Sequence, residues 1–103
     1  MKIFVLYRLK DGVSFDEYRR WSLEDDQPTL RAFEEITHFS VHSTTATDES
    51  TATYTVVETI EIESAEAWAA VASSADLKAL GPAFERFVDP TSLCILHGEE
   101  ITE

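Results

Sequence analysis

The chain has 103 residues, enough for one domain with a real core and too few for two. Its 20 acidic residues against 8 basic ones give a formal charge of −12, which repels phosphate backbones and argues against nucleic acid as a partner. A single cysteine, Cys94, excludes an internal disulfide and a thiolate metal cluster, and its apolar run Leu93-Cys94-Ile95-Leu96 predicts a buried, inert thiol.

No apolar run approaches the ~20 residues of a membrane span, and Met1 to Arg8 is too brief an apolar stretch for a signal peptide. A soluble, cytoplasmic protein is therefore expected. Ile3 to Leu9 is apolar at nearly every position, as in a central strand covered on both faces. Asp11-Gly12 turns the chain, and Ser14-Phe15-Asp16-Glu17 fits a capping box that opens a helix with the aromatic stripe Phe15, Tyr18, Trp21. The helix should loosen around Glu24-Asp25-Asp26-Gln27-Pro28, with Asp26 capping a second short helix that carries Leu30 and Phe33. Asp25 and Asp26 are candidate carboxylates for the rim of a ligand pocket.

Ile36 to Thr45 then alternates as a strand, with Phe39 and Val41 on one side and His38, Ser40 and His42 on the other. A face made of two imidazoles and a hydroxyl is either wet or lines a cavity. The polar tip Thr47-Asp48-Glu49-Ser50 predicts a hairpin loop. It returns the chain through Thr53 to Ile62, where Glu58 interrupts an apolar row of Tyr54, Val56, Ile60 and Ile62. Ser64 caps a helix carrying Trp68 and Val71, and Ser74-Ala75-Asp76 restarts it as a short helix ending at Gly81-Pro82. Phe84, Phe87 and Val88 cluster before a last strand, Ser92 to Gly98, with Leu93, Ile95 and His97 on one face and Cys94 and Leu96 on the other.

The order β-α-β-β-α-β is the ferredoxin-like pattern, an α+β fold with a four-stranded antiparallel sheet in the order 4-1-3-2 and helices on one face. A central strand apolar on both faces must then bury its second face, and a second copy packed sheet to sheet, a homodimer, meets that need.

His38 and His42 are separated by roughly 13 Å along a strand, too far to share a metal ion with nitrogen bonds of roughly 2 Å. No metal site is expected. Either imidazole suits acid or base work near neutral pH, and Ser40, Tyr54 and Asp26 could orient a ligand beside it. Tyr7, Trp21, Trp68 and Phe87 could wall a pocket for a flat apolar ligand, and Arg8, if inward, could hold an anionic group. The chain has no glycine-rich phosphate loop, no nucleophile elbow and no nucleotide or flavin signature.

Three stretches carry a family likeness: Ile3-Phe4-Val5-Leu6-Tyr7-Arg8-Leu9-Lys10-Asp11-Gly12-Val13-Ser14, the segment from Val57 to Trp68, and Phe84-Glu85-Arg86-Phe87-Val88-Asp89. Together they resemble the REDY-like family of dimeric α+β barrel proteins, found in biosynthetic clusters for pyrrole and indole pigments of the prodigiosin type. The resemblance implies one domain over residues 1–103, a homodimer without a cofactor, and a small aromatic heterocyclic intermediate that undergoes cyclisation or condensation. A cofactor-independent monooxygenase and a binding protein that shields or delivers the intermediate are the alternatives.

Overall fold

The computed structural model describes residues 1–47 and 54–103, so most of the predicted hairpin tip, from Asp48 onward, lies outside the described residues. Its elements are β1 (Lys2–Tyr7), α1 (Phe15–Trp21), a π-helical turn (Ser22–Asp26), α2 (Gln27–Arg31), β2 (Ile36–Ser43), β3 (Val56–Ile62), α3 (Ala65–Ala72), α4 (Ala75–Lys78), α5 (Gly81–Phe87) and β4 (Cys94–Gly98). The strands form an antiparallel sheet in the order β2-β3-β1-β4, as the sequence pattern predicts.

Alternation assigns the two faces of the sheet. Ile3, Val5 and Tyr7 of β1 and Val56, Glu58, Ile60 and Ile62 of β3 are buried. They pack with Tyr18, Trp21, Leu30, Val71 and Phe87 from the helical layer. The opposite face carries Lys2, Phe4 and Leu6, which pair across the sheet with Glu61, Thr59 and Val57 on one side and with Gly98, Leu96 and Cys94 on the other. The register on β2 continues this open face through His38 opposite Glu61, Ser40 opposite Thr59 and His42 opposite Val57.

A bulge between Ile36 and His38 interrupts the expected strict alternation of β2. It lets both Ile36 and Phe39 reach the core, three positions apart. Cys94 is a half-buried free thiol on the open face, and so is not the fully buried residue its apolar neighbours suggest. Arg8 does not turn inward: its Nη2 donates to Asp89 Oδ2 at 2.6 Å.

The helix termini follow local chemistry at three serines. Ser14, Ser64 and Ser74 each accept a hydrogen bond from the backbone N–H three residues on, at 3.3, 3.1 and 3.2 Å. Asp26 departs from that pattern and makes no side-chain capping bond, because the helix does not break before it. The Gln27 N–H instead donates to the Ser22 carbonyl five residues back. This wide turn meets the demand made by Pro28, whose ring would clash with the Glu24 carbonyl and which has no N–H to give it. Gly81-Pro82 also departs from expectation: it opens α5, with the proline in the first turn where its missing N–H costs nothing.

Candidate functional site

Beneath α1 the helical side of the sheet contains a buried polar cluster. Tyr7 sits opposite Val56, and Glu58 opposite Val5, so the two side chains are diagonal neighbours on the core face. The Tyr7 hydroxyl donates to Glu58 Oε2 at 2.6 Å, and the Tyr7 and Tyr18 hydroxyl oxygens are hydrogen-bonded to each other. Each phenol has one proton to give. With the Tyr7 proton on Glu58, Tyr18 is the donor to Tyr7, and the chain runs Tyr18 to Tyr7 to Glu58. Aromatic rings fence it: Phe84 stands edge-on to Tyr7 at 5.3 Å, and Phe87 edge-on to Tyr18 at 5.9 Å.

Asp26 completes the cluster. The helical repeat places Tyr18, Ser22 and Asp26 in one row four residues apart, all three buried against the sheet. The Ser22 Oγ accepts from Gln27 Nε2 at 3.0 Å. Asp26 Oδ2 is buried and has no hydrogen-bond partner. Two carboxyls thus lie in the interior, with Glu58 6% and Asp26 5% exposed. Among the described residues neither forms an ion pair.

Burial therefore decides their protonation. It pushes the Glu58 carboxyl well above the ordinary carboxylate range, a nearby Asp26 charge pushes the same way, and the Tyr7 hydrogen bond opposes them without prevailing. Asp26 is also raised by burial. Both phenols are raised too, chiefly by burial, so at neutral pH they act as hydroxyls and not as phenolates.

A cavity of about 220 Å³ opens beside this cluster, lined by Phe15, Tyr18, Ser22, Leu23, Val41 and Val56, with Arg19, Gln27 and Ser43 around them. Tyr18 belongs to both structures. It lines the cavity, and its hydroxyl is hydrogen-bonded through Tyr7 to Glu58.

The sequence-predicted residues divide between the two faces. Tyr7, Trp21, Asp26 and Phe87 are buried on the helical side, where Trp21 and Phe87 pack against each other at 5.6 Å. Trp68 is half-buried against the same core. Tyr54 is half-buried ahead of β3, its carbonyl accepting from Thr44 Oγ1 at 2.9 Å. His38 and His42 are exposed, and Ser40 half-buried, on the open face away from the cavity. Asp25 is exposed. Glu58, Tyr18 and Ser22 were not among the predicted site residues. The single acid in an otherwise apolar β3 row was the available signal for Glu58. Among the described residues no group of three or more acidic, histidine or cysteine side chains could hold a metal ion, and no helix is long and apolar enough to cross a membrane.

Comparison with solved structures places this architecture among ferredoxin-like α+β folds. At3g17210 from Arabidopsis thaliana superposes with a TM-score of 0.83 at 18% identity, over 99% of this chain and 96% of that one. HapK from Hahella chejuensis gives 0.77 at 24% identity, over 100% and 95%. A dimeric ferredoxin-like protein of unknown function from Thermobifida fusca gives 0.74 at 12% identity, over 92% and 85%. No curated protein sequence matches the chain. The family model for the REDY-like protein HapK matches residues 1–101. The chain belongs to the REDY-like HapK family.

Proposed function

We propose that this protein binds a small aromatic heterocycle in the cavity under α1 and moves a proton on it, as a step in the cyclisation or condensation of a pyrrole or indole pigment precursor. The observation that carries the reading is Tyr18, which faces the cavity and is hydrogen-bonded through Tyr7 to the buried Glu58. About 220 Å³ is small against the ~300–1,000 Å³ of pockets for drug-sized ligands and suits one or two fused rings. Phe15, Leu23, Val41 and Val56 supply apolar walls for such rings.

The direction of the chain gives the chemistry. A proton leaving the ligand goes to the Tyr18 oxygen, the Tyr18 proton goes to Tyr7, and the Tyr7 proton goes to Glu58 in its ionised form, the minor form at neutral pH. The ligand ends one proton poorer and Glu58 neutral, with no net change at either phenol. Reversing the three transfers returns a proton to a different ligand atom. Glu58 suits both directions because its raised affinity for protons brings it closer to neutral pH than an ordinary carboxylate. His38 and His42 have no part in this relay.

The same reading includes a homodimer in which a second copy covers the open face. Phe4, Leu6 and Val57 are only half-buried there in one chain, and Leu96 is 51% exposed. The Thermobifida fusca fold relative is dimeric by its description.

The test uses pyrrole and indole in deuterated water, with ring C–H exchange followed by proton NMR. The protein should accelerate exchange. Tyr18→Phe and Glu58→Gln should each lower that acceleration by on the order of 10²-fold, within the usual range for acid–base groups. His38→Ala/His42→Ala should leave it unchanged. Exchange no faster than in buffer would overturn the proton-transfer role, and loss confined to the histidine variant would move the chemistry to the open face.

A further inference from the structure

The cavity under α1 carries one charge, and it is positive. Neither Glu58 nor Asp26 lines it, and Arg19 is the one charged side chain among its lining residues. The helical repeat explains the placement. Tyr18 and Ser22, four residues apart, form a buried inner row, while Phe15, Arg19 and Leu23 form an outer row at the rim. Phe15 is 44% exposed and Leu23 48%, so Arg19 stands between two open apolar side chains. Apolar groups left open together beside a cavity, unlike single exposed residues, mark a ligand-binding edge.

Arg19 is also uncommitted. Lys2 pairs with Glu61 at 3.4 Å, Arg8 pairs with Asp89 at 2.6 Å, Arg31 donates to Gln27 Oε1 and the Phe39 carbonyl, and Arg86 lies over the Phe87 ring. Arg19 forms no ion pair among the described residues. The polar groups beside it lean the same way. Gln27 Oε1 is engaged by Arg31, whereas its Nε2 has a second N–H beyond the one it gives to Ser22. Ser22 Oγ accepts that bond and keeps its own proton to give, and Ser43 on β2 can donate or accept. What the cavity offers a ligand is chiefly donors and one full positive charge, in a chain whose formal charge is −12.

Resting on the heterocycle-binding reading, we propose that the ligand is an anion: an aromatic heterocycle bearing a carboxylate, its ring against Phe15, Leu23, Val41 and Val56 and its carboxylate on Arg19 at the mouth. A guanidinium meets a carboxylate through two parallel N–H donors, which fixes the orientation of the ring as well as adding affinity. The ring fills a cavity of about 220 Å³, which leaves the carboxylate at the rim where Arg19 is. Anchored there, the ring turns its opposite edge towards the inner row that holds Tyr18. A neutral ring forgoes the pair, and a cationic one meets a like charge.

Three indoles of similar size separate these cases: indole-2-carboxylate, indole-2-carboxamide and tryptamine, titrated calorimetrically into the protein at neutral pH. The carboxylate should bind about fivefold more tightly than the carboxamide, as for a well-formed pair at a partly wet site, and tryptamine more weakly than either. Raising salt from about 20 to about 300 mM should narrow the gap, since the pair is screened. Arg19→Gln should bring carboxylate and carboxamide to within about twofold while leaving carboxamide binding in place. Arg20→Gln makes the same change in net charge at an exposed residue that does not line the cavity, and should keep the preference. Equal binding of carboxylate and carboxamide, a preference that survives Arg19→Gln, or one lost equally in Arg20→Gln overturns the assignment and leaves the heterocycle cavity standing. Binding of none of the three overturns that cavity and this inference with it. Carboxylate preference without ring C–H exchange overturns proton transfer alone and leaves the Arg19 role supported.

Discussion

A carboxyl placed in an apolar strand row survives burial by finding a cation or by keeping its proton. Glu58 takes the second course, because the group that reaches it is a phenol. The consequence is a stability that depends on pH in a sense opposite to the usual salt-bridged acid. In the unfolded chain Glu58 titrates near its ordinary 4.5, whereas in the folded chain it holds its proton to higher pH. Its contribution is fully present below pH 4.5 and is lost as pH rises, until the buried carboxyl itself ionises. Denaturant unfolding at intervals from pH 5 to 8 should show the protein losing stability, at up to about 1.4 kcal/mol per pH unit for each such carboxyl. Glu58→Gln should flatten that slope, leaving the part due to Asp26, and a slope equal to that of the unaltered protein would refute the neutral-carboxyl account. Tyr7→Phe isolates the hydrogen bonds from the charge. It strips both Glu58 and Tyr18 of a partner and should cost about 1–3 kcal/mol at pH 5, measured by the same unfolding. Glu58 was visible in the sequence as the lone acid among Tyr54, Val56, Ile60 and Ile62, but its partners were not. Tyr7 and Tyr18 lie 51 and 40 positions from it, and only the β1–β3 register and the docking of α1 bring them together.

At the scale of elements, the legible parts are those whose signal is local. Ser14, Ser64 and Ser74 cap helices because a serine in extended backbone reaches the N–H three residues on, whatever the rest of the fold does. Ser64→Ala should accordingly cost about 1 kcal/mol, read as a fall in thermal midpoint, and Ser14→Ala less, since its longer bond is exposed to water. Equal losses at the two positions would show that the capping bonds do not set these helix starts. Asp26 carries the same local signature, an acid just ahead of Pro28, yet the cap does not form. What decides there is not local: Trp21 and Leu30 both face the core, and continuing the helix through a π turn keeps both inside while accommodating the proline. The bulge in β2 has the same origin, since Ile36 and Phe39 can both be buried only if one residue is left out of the alternation. Strict alternation did assign Phe39, Val41, His38, Ser40 and His42 to the correct sides of the strand. It carried no information on which side would hold a cavity.

For the whole molecule the deciding surface is the open face, and its composition sets what a second copy would have to overcome. Phe4 lies near its middle, between Thr59 and Leu96, and packs on Gly98, where an added Cβ would come within 3.0 Å of the ring. Leu6, Val57 and Cys94 form the next row, ending at His42 on the β2 edge. Such a face gains from being covered, at about 25 cal/mol for each Å² of apolar surface removed from water. Opposing this, each copy carries a formal charge of −12, and two of them repel. Burial of apolar surface is short-ranged and insensitive to moderate salt, whereas the repulsion is screened over a Debye length of about 10 Å at 0.1 M. A sheet-to-sheet dimer of this chain should therefore tighten as salt rises from 20 to 300 mM, the reverse of an association held by surface ion pairs. Sedimentation at micromolar concentration should give the mass of two chains, shifting further from monomer with added salt. Phe4→Glu places a carboxylate where one chain tolerates it at the surface but two facing copies do not, and it should yield a folded monomer at every salt concentration. A monomer from the unaltered chain, or a dimer that loosens with salt, would place the association elsewhere or remove it.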